Sequence, residues 1–158
     1  ETRPDVVLHF GVASRAKGFE IETRGRNYTD GRIDATGVAP PTRYIQQDGP
    51  QYRPSNLPVR EIVDRLKERG LPARLSRSAG GYLCNCVLYN SMAIVENSPH
   101  PMRNGFVHLP ASLVDESDPS RGPMPDSPMS QEQAIDGGLE IIAVCLDRVR
   151  RPQTETVS

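Results

Sequence analysis

The 158-residue chain is long enough to fold as one domain around a sizeable core, and 36% hydrophobic with 25% charged residues is usual for such a domain. Nineteen basic against twenty acidic residues leave a net charge of −1 with 5% aromatic residues, which offers nucleic acid neither a basic stripe nor stacking surfaces. No window approaches the roughly 20 apolar residues that cross a bilayer, and three cysteines are too few for a secreted disulfide framework, so we expect a cytoplasmic protein without membrane or nucleic-acid partners.

The first third of the chain predicts two strands and a long loop. Residues 5–11 (DVVLHFG) form the apolar run of a buried strand, with Gly11 as the turn residue at its end. Because such a strand seldom opens a chain, we expect an upstream piece to be missing from this sequence. Residues 19–28 alternate apolar and polar side chains, which predicts a strand with both of its glutamates, one of them Glu22, on the same face. The prolines of residues 34–56 predict a long loop.

The rest of the chain predicts three helices and two strands. In chain order these are a helix after Pro58 that ends at Gly70, a strand at 73–77, a turn at 78–81, a helix at 82–95, a strand at 105–109, and a mobile loop at 114–129. Ser130 and Gln133 form a capping-box pattern that opens the last helix, and residues 152–158 resemble a frayed tail. The apolar stripe of this helix is expected to face the core through Ile135, Leu139, Ile142, Leu146 and Val149. This order of elements predicts a single domain over residues 1–158, a three-layer α/β sandwich.

The stretch SAGGYLCNC, residues 78–86, places two cysteines two positions apart at the start of a predicted helix. A thiol attacks only as its thiolate, and the dipole and unpaired N–H groups of a helix N-terminus lower the pKa of a thiol. Cys84 lies in the first turn, where Gly80 and Gly81 would leave room for a substrate carbonyl and free N–H groups for an oxyanion. Cys86 lies about 200° further round the helix and cannot share that site. We expect Cys86 to be a buried, inert thiol, and without further context the same would hold for Cys84.

A metal site is not expected, because no cysteines and histidines are spaced to give about four ligands in tetrahedral reach; Cys145 is expected to be buried and inert. A thiol nucleophile needs instead a general base, normally a histidine held by a carboxylate or an amide. His108 lies at the C-terminal end of a predicted strand, where α/β sheets build their sites, yet alone it fits packing as well as catalysis. His9 lies inside an apolar strand and is expected to be a core histidine, whereas His100 lies between two prolines in a solvated loop.

Three motifs occur together: SAGGYLCN with a tyrosine five positions past the cysteine, GFVHLP with His108 24 residues after Cys84, and a closing helix that reads SQEQAIDGGLEI. Together they resemble the pyroglutamyl peptidase I family, the cysteine peptidases that remove N-terminal pyroglutamate from peptides. The resemblance runs from about residue 4 to residue 149 and implies that the first strand and loop of the family are missing from this chain. It implies an α/β/α sandwich with a mixed, mostly parallel central sheet of the phosphorylase/hydrolase-like type. The glutamate motif of the family falls on residues 22–27 (ETRGRN), so that Glu22 rather than Glu20 is the implied catalytic acid.

The resemblance also implies a mechanism and a substrate. His108 would take the proton of Cys84, Glu22 would orient the imidazole, and the thiolate would attack the pyroglutamyl carbonyl to form an acyl-enzyme. Gly81 and Arg32 are implied as groups that position the substrate or its oxyanion. No cofactor or metal is implied, the partner is a peptide with N-terminal pyroglutamate, and a homo-oligomer, dimer or tetramer, is typical of the family.

The chain departs from the family pattern at several positions. Val12 stands where a glutamine helps to recognise the lactam, and valine cannot form that hydrogen bond. Arg24, Gly25 and Arg26 replace the apolar residues of the glutamate motif, and two arginines on an interior strand would need partners or solvent. Three hypotheses stay open: a pyroglutamyl peptidase, a thiol hydrolase for another small amide or lactam, and a non-catalytic relative that serves as a binding or assembly module.

Overall fold

The fold was analysed on a computed structural model, which describes residues 3–111, 113 and 128–150. Its elements are β1 (Val6–Ala13), β2 (Phe19–Glu22), β3 (Arg24–Arg26), β4 (Tyr52–Pro54), α1 (Val59–Glu68), β5 (Ala73–Ser76), α2 (Leu83–Glu96), β6 (Arg103–Pro110) and α3 (Gln131–Arg150). No helix in these ranges is long and apolar enough to cross a membrane. Most of the predicted loop at 114–129 and the predicted tail at 152–158 lie outside the described residues.

Four strands form the central sheet, in the order β1-β6-β2-β5. β1 is parallel to β6 along its whole length, and β2 is parallel to β5. β2 runs antiparallel to β6, which sets Glu20 opposite His108 and Ile21 opposite Val107. The sheet is therefore mixed and mostly parallel, as the resemblance implied.

Helices cover both faces of this sheet. Neighbouring residues of β6 point to opposite faces, so this one strand contributes to the core on each side. Phe106 is buried against α2, in a small cluster with Leu88 and Met92. Val107 points the other way into the larger core, to which α1 and α3 contribute side chains such as Ile62 and Ile141. The predicted three-layer α/β/α sandwich is confirmed.

The strand predicted at residues 19–28 is in fact two strands that belong to different sheets. At Thr23 the backbone N–H and the hydroxyl both donate to the Ser76 carbonyl, each at 2.8 Å, and beyond it β3 leaves the central sheet to pair with β4. The prediction missed β4 because its three residues lie in a proline-rich stretch that lacks an alternating pattern.

This two-stranded sheet explains the arginines that looked misplaced on an interior strand. Gly25 faces α2, and a Cβ there would lie 2.8 Å from the backbone of Tyr89, so only glycine allows β3 to pack this closely. The flanking arginines point outward and are half-buried: Arg24 stacks over the Tyr52 ring at 4.1 Å, and Arg26 contacts the Tyr28 ring. The expectation of an interior strand is therefore wrong for these two side chains.

The capping box at the start of α3 is confirmed, but the face of α3 that meets the core is not the predicted one. The Gln133 N–H donates to Ser130 Oγ at 3.1 Å, and the Ser130 N–H donates to Gln133 Oε1 at 2.9 Å. The exposed residues include four of the five predicted for the core, namely Ile135, Leu139, Ile142 and Leu146. The reason is Gly137, where a Cβ would lie 2.2 Å from the Phe19 ring, so the helix presents its glycine face to the sheet and buries Ile141, Val144 and Cys145 instead.

Candidate active site

A histidine and a glutamate form a buried pair across the antiparallel strands β2 and β6. Because Glu20 lies opposite His108, Glu22 lies diagonally from it on the same face of the sheet. The His108 Nδ1 atom and the Glu22 Oε1 atom are 2.9 Å apart, with Glu22 fully buried and His108 5% exposed. Glu22 Oε2 has no hydrogen-bond partner among the described residues, so the carboxylate bonds only to the imidazole. Such a pair fixes the orientation of the ring and leaves its Nε2 atom for another partner.

Cys84 lies on the same side of the sheet as this pair. It occupies the first turn of α2, is half-buried, and packs against the cluster that contains Phe106. The Phe106 ring lies 4.8 Å from the His108 ring, centroid to centroid, because the two residues alternate along one face of β6. No hydrogen bond joins Cys84 Sγ to the imidazole among the described contacts, and catalytic hydrogen bonds are often looser before substrate binds.

The electrostatics at Cys84 differ from the expectation for a helix N-terminus. Burial raises the pKa of the Cys84 thiol, and the negative charge of Glu22 raises it further. The backbone N–H of Cys84 itself opposes this shift but does not overcome it. The expected lowering of the pKa is therefore wrong, because the surroundings of the sulfur favour its protonated form.

Gly11 was missed by the sequence reasoning, which took it for a turn residue at the end of the strand. It lies inside β1, opposite His108 in the register with β6. A Cβ at this position would lie 2.8 Å from the Phe106 ring and 3.3 Å from Cys84 Sγ. Gly11 thus lets β1 approach the cysteine, and the available signal was a glycine within an apolar strand.

Gly81 and Gly80 allow a close contact and a left-handed turn, rather than the space for a substrate carbonyl that the sequence suggested. A Cβ on Gly81 would lie 3.0 Å from both Tyr28 and Asp30, and the Asp30 N–H donates to the Gly81 carbonyl at 2.7 Å. The space beside Gly81 is therefore filled by residues 28–30 rather than left for a substrate. Gly80 has a φ of +84°, in the left-handed region that glycine adopts without strain.

Arg32 and Val12 lie differently with respect to Cys84. Arg32 forms an ion pair with Asp30 at 2.9 Å and stands over the ring of Tyr82, two residues before the cysteine, with 69% of its side chain exposed. Val12 follows Gly11 on β1, so strand alternation turns its side chain to the opposite face, where it is 66% exposed. The structure brings Arg32 to the head of α2 and does not bring the Val12 side chain there.

The remaining cysteines and histidines do not join Cys84, His108 and Glu22, although His9 borders them through Phe106. Cys86 is half-buried rather than fully buried, and burial, followed by the charge of Asp30, raises the pKa of its thiol. Cys145 is buried, and burial raises the pKa of its thiol to about 11.

The His9 ring stacks on Phe106, burial lowers the pKa of this imidazole, and its Nε2 atom has no hydrogen-bond partner in the described region. His100 contacts Asp5 at 3.2 Å. No group of three or more metal-ligating side chains occurs in the described ranges.

A thiol at the head of a helix, on the same face of the sheet as an imidazole that contacts a buried carboxylate, is the type of arrangement that cysteine hydrolases use. A family model described as pyroglutamyl peptidase matches residues 1–146, so the chain belongs to the pyroglutamyl peptidase family.

Individual relatives agree with this assignment. The pyrrolidone-carboxylate peptidase of Pyrococcus furiosus is 33% identical over 153 residues, which cover 94% of this chain and 72% of the relative. That of Oceanobacillus iheyensis is 34% identical over 112 residues, 71% of this chain and 56% of the relative. The solved structure of the pyrrolidone carboxyl peptidase from Thermococcus litoralis superposes with a TM-score of 0.80 at 28% identity, over 95% of this chain and 69% of that one. The match to the Oceanobacillus relative thus spans little more than half of that protein.

Proposed function

We propose that the chain hydrolyses the amide bond after an N-terminal pyroglutamyl residue, with Cys84 as nucleophile, His108 as general base and Glu22 as the carboxylate that orients it. One observation supports this most strongly. The buried Glu22–His108 pair, with its atoms 2.9 Å apart, lies on the same face of the sheet as the Cys84 sulfur, and His108 and Cys84 both neighbour Phe106. Family membership supplies the substrate, because the relatives are named pyrrolidone-carboxylate peptidases.

The steps follow from the roles of these groups. Neutral His108 donates its Nδ1–H to Glu22, so its Nε2 accepts the proton of Cys84 while the sulfur attacks the pyroglutamyl carbonyl carbon. The imidazolium then returns that proton to the leaving amine as the C–N bond breaks, which leaves a thioester on Cys84. Water, deprotonated by His108, attacks the thioester, and pyroglutamate leaves as the thiol is restored.

The head of α2 supplies donors for the oxyanion of each tetrahedral intermediate. No side chain caps this helix, so its first N–H groups are not taken up by a capping residue. Arg32 would act indirectly and not by contact with the substrate. Its ion pair with Asp30 and its position over the Tyr82 ring support a role in holding residues 30–32 against the segment before Cys84.

The test is hydrolysis of a pyroglutamyl amide of a fluorescent amine. The wild-type chain is expected to release the amine, Cys84→Ser to abolish release, and Cys86→Ser to leave most of it. Equal loss in both variants would reject the assignment of the nucleophile, and no release by the wild type would reject the activity.

The second candidate, a thiol hydrolase for another small amide, rests on the absence of the family's glutamine at position 12 and not on a contact of the Val12 side chain, which points away from the face of β1 beside Cys84. A panel of acyl amides separates the two candidates by showing which acyl group is released fastest. The non-catalytic alternative predicts that iodoacetamide labels Cys84 no faster than an ordinary exposed thiol, and that no amide of the panel is cleaved.

The proposal also includes a cytoplasmic protein that self-associates as a dimer or tetramer. Three free cysteines support a reducing compartment, and the exposed apolar face of α3 supplies area for association. Leu139→Glu on that face is expected to lower the mass measured by light scattering, and an unchanged oligomer would place the contact elsewhere.

A further inference from the structure

The side chain of Asn85, next to the proposed nucleophile, acts as a strand partner for β3. Its Nδ2 donates to the carbonyls of Arg26 and Tyr28, each at 2.8 Å, and its Oδ1 accepts from the Arg26 N–H at 2.9 Å. The residue is fully buried, so its two amide donors and one of its acceptor positions are used inside the protein. This amide therefore joins the first turn of α2 to the strand that follows Glu22.

The head of α2 has no capping side chain, so the Asn85 amide supplies a side-chain hydrogen bond within its first turn, beside the contacts that Tyr82 makes with Arg32 and the Ile33 carbonyl. Tyr82 precedes the helix without forming a capping hydrogen bond, and an uncapped first turn tends to fray. A capping side chain would occupy the N–H groups that the proposed reaction leaves for an oxyanion. Asn85 holds the turn from the side instead, which keeps those N–H groups free.

The strand β3, to which Asn85 binds, directly follows the segment that carries Glu22, the acid of the proposed triad. Only Thr23 separates Glu22 from β3, so a shift of β3 against α2 changes the distance between Glu22 and Cys84. The Asp30 N–H, which donates to the Gly81 carbonyl, extends the same connection to the segment before the helix.

We propose that Asn85 is a positioning residue, which sets the place of the Cys84 sulfur relative to the Glu22–His108 pair. The inference rests on the proposed function for its kinetic consequence, while the reactivity of the cysteine tests it without any substrate.

Asn27 provides a matched control. It is also buried and also uses its amide for three backbone contacts: Nδ2 donates to the carbonyls of Gln46 and Gly49, and Oδ1 accepts from the Gln46 N–H. These bonds hold residues 46–49, a segment that meets α2 at Tyr89, five residues past Cys84, and not at the head of the helix. Loss of either amide should cost similar stability, but only loss of the Asn85 amide should move the sulfur.

The test compares Asn85→Asp with Asn27→Asp in the full chain. The aspartate keeps the acceptor for Arg26 but sets an oxygen against two carbonyl oxygens, which pushes the turn away from β3. For Asn85→Asp we expect kcat to fall about 10- to 100-fold with KM changed less than about threefold, as for a misplacement of about 1 Å. The iodoacetamide labelling rate of the Cys84 thiolate is taken from the high-pH plateau, so that the new charge beside the thiol does not set it, and is assigned to Cys84 rather than Cys86 by peptide fragmentation. It should change about fivefold or more, whereas in Asn27→Asp both readouts should stay within about twofold.

Several results would overturn the inference. One is an Asn85→Asp variant that melts at the same temperature as Asn27→Asp and keeps kcat and the labelling rate of the wild type. A milder variant, Asn85→Ser, covers the case in which the aspartate does not fold. If both Asn85 variants fail to fold while Asn27→Asp folds, the amide is required for folding rather than for positioning. A wild type without pyroglutamyl release rejects the proposed function, while the labelling rates still decide the role of Asn85.

Discussion

The replacement Glu22→Gln removes one charge from the proposed triad and keeps its shape. In the reaction His108 becomes an imidazolium inside the protein, where Glu22 Oε1 stands 2.9 Å from its Nδ1 atom. At a charge separation of about 4 Å and an effective dielectric constant of about 20, their attraction is about 4 kcal/mol. Its loss from the transition state lowers kcat by about 1,000-fold.

Glu22→Gln should also change the pKa of the Cys84 thiol, in the direction that favours the thiolate although kcat falls. The charge of Glu22 raises the pKa of the Cys84 thiol, so the glutamine variant should have a lower thiol pKa than the wild type. The variant therefore gains thiolate at a given pH while it loses turnover. Unfolding would also expose the thiol and lower its pKa, so both quantities are measured well below the melting temperature of the variant.

The assay measures kcat for a pyroglutamyl amide and the pH dependence of Cys84 alkylation in the same protein samples. Glu20→Gln is the matched control, since Glu20 lies on the same strand and face but bonds to Arg74 instead of a histidine. Its kcat should stay within about tenfold of the wild type. A Glu22→Gln variant with less than a tenfold loss of kcat, or with a thiol pKa above that of the wild type, would refute the reasoning.

Three further predictions follow from other parts of the fold. Gly11→Ala should cost about 1–3 kcal/mol in unfolding free energy and lower kcat about tenfold, because the added methyl displaces the Phe106 ring; unchanged urea unfolding and activity would contradict it. Ile141→Ala should cost about 2–5 kcal/mol, whereas Leu139→Ala on the exposed face should cost less than about 1 kcal/mol, and thermal melts that reverse this order would show that α3 is turned the other way. Cys145, with its pKa near 11 and its buried side chain, should resist alkylation at pH 8 until denaturant is added, and labelling at the rate of a free thiol would contradict its burial.

Local patterns were sufficient to predict the elements that carry the candidate site. A glycine pair before an apolar run predicted the start of α2 and so the place of Cys84. Alternation along β2 and β6 assigned Glu22 and His108 to strand faces. The pairing of the two strands, which joins these residues, is a long-range feature that no local pattern contains, and only the family resemblance indicated it.

The failures have physical causes in particular residues. The α3 sequence carries apolar residues on two faces, and the close approach of Gly137 to Phe19 decided between them. The expected low pKa of Cys84 considered the helix N-terminus alone, whereas burial of the thiol acts in the opposite direction and is the largest effect, to which the charge of Glu22 adds. Both outcomes depend on neighbours that are distant in sequence.

The covalent intermediate on Cys84 provides the most direct test of the proposed chemistry. The chain is mixed with a pyroglutamyl ester, quenched in acid within the first turnover and digested for mass spectrometry. The account predicts one pyroglutamyl group on Cys84, distinguished from Cys86 by fragmentation of the peptide that contains both, and absent when His108 is replaced by alanine. A pyroglutamyl group on Cys86 or Cys145, or turnover without any acylated peptide, would contradict it.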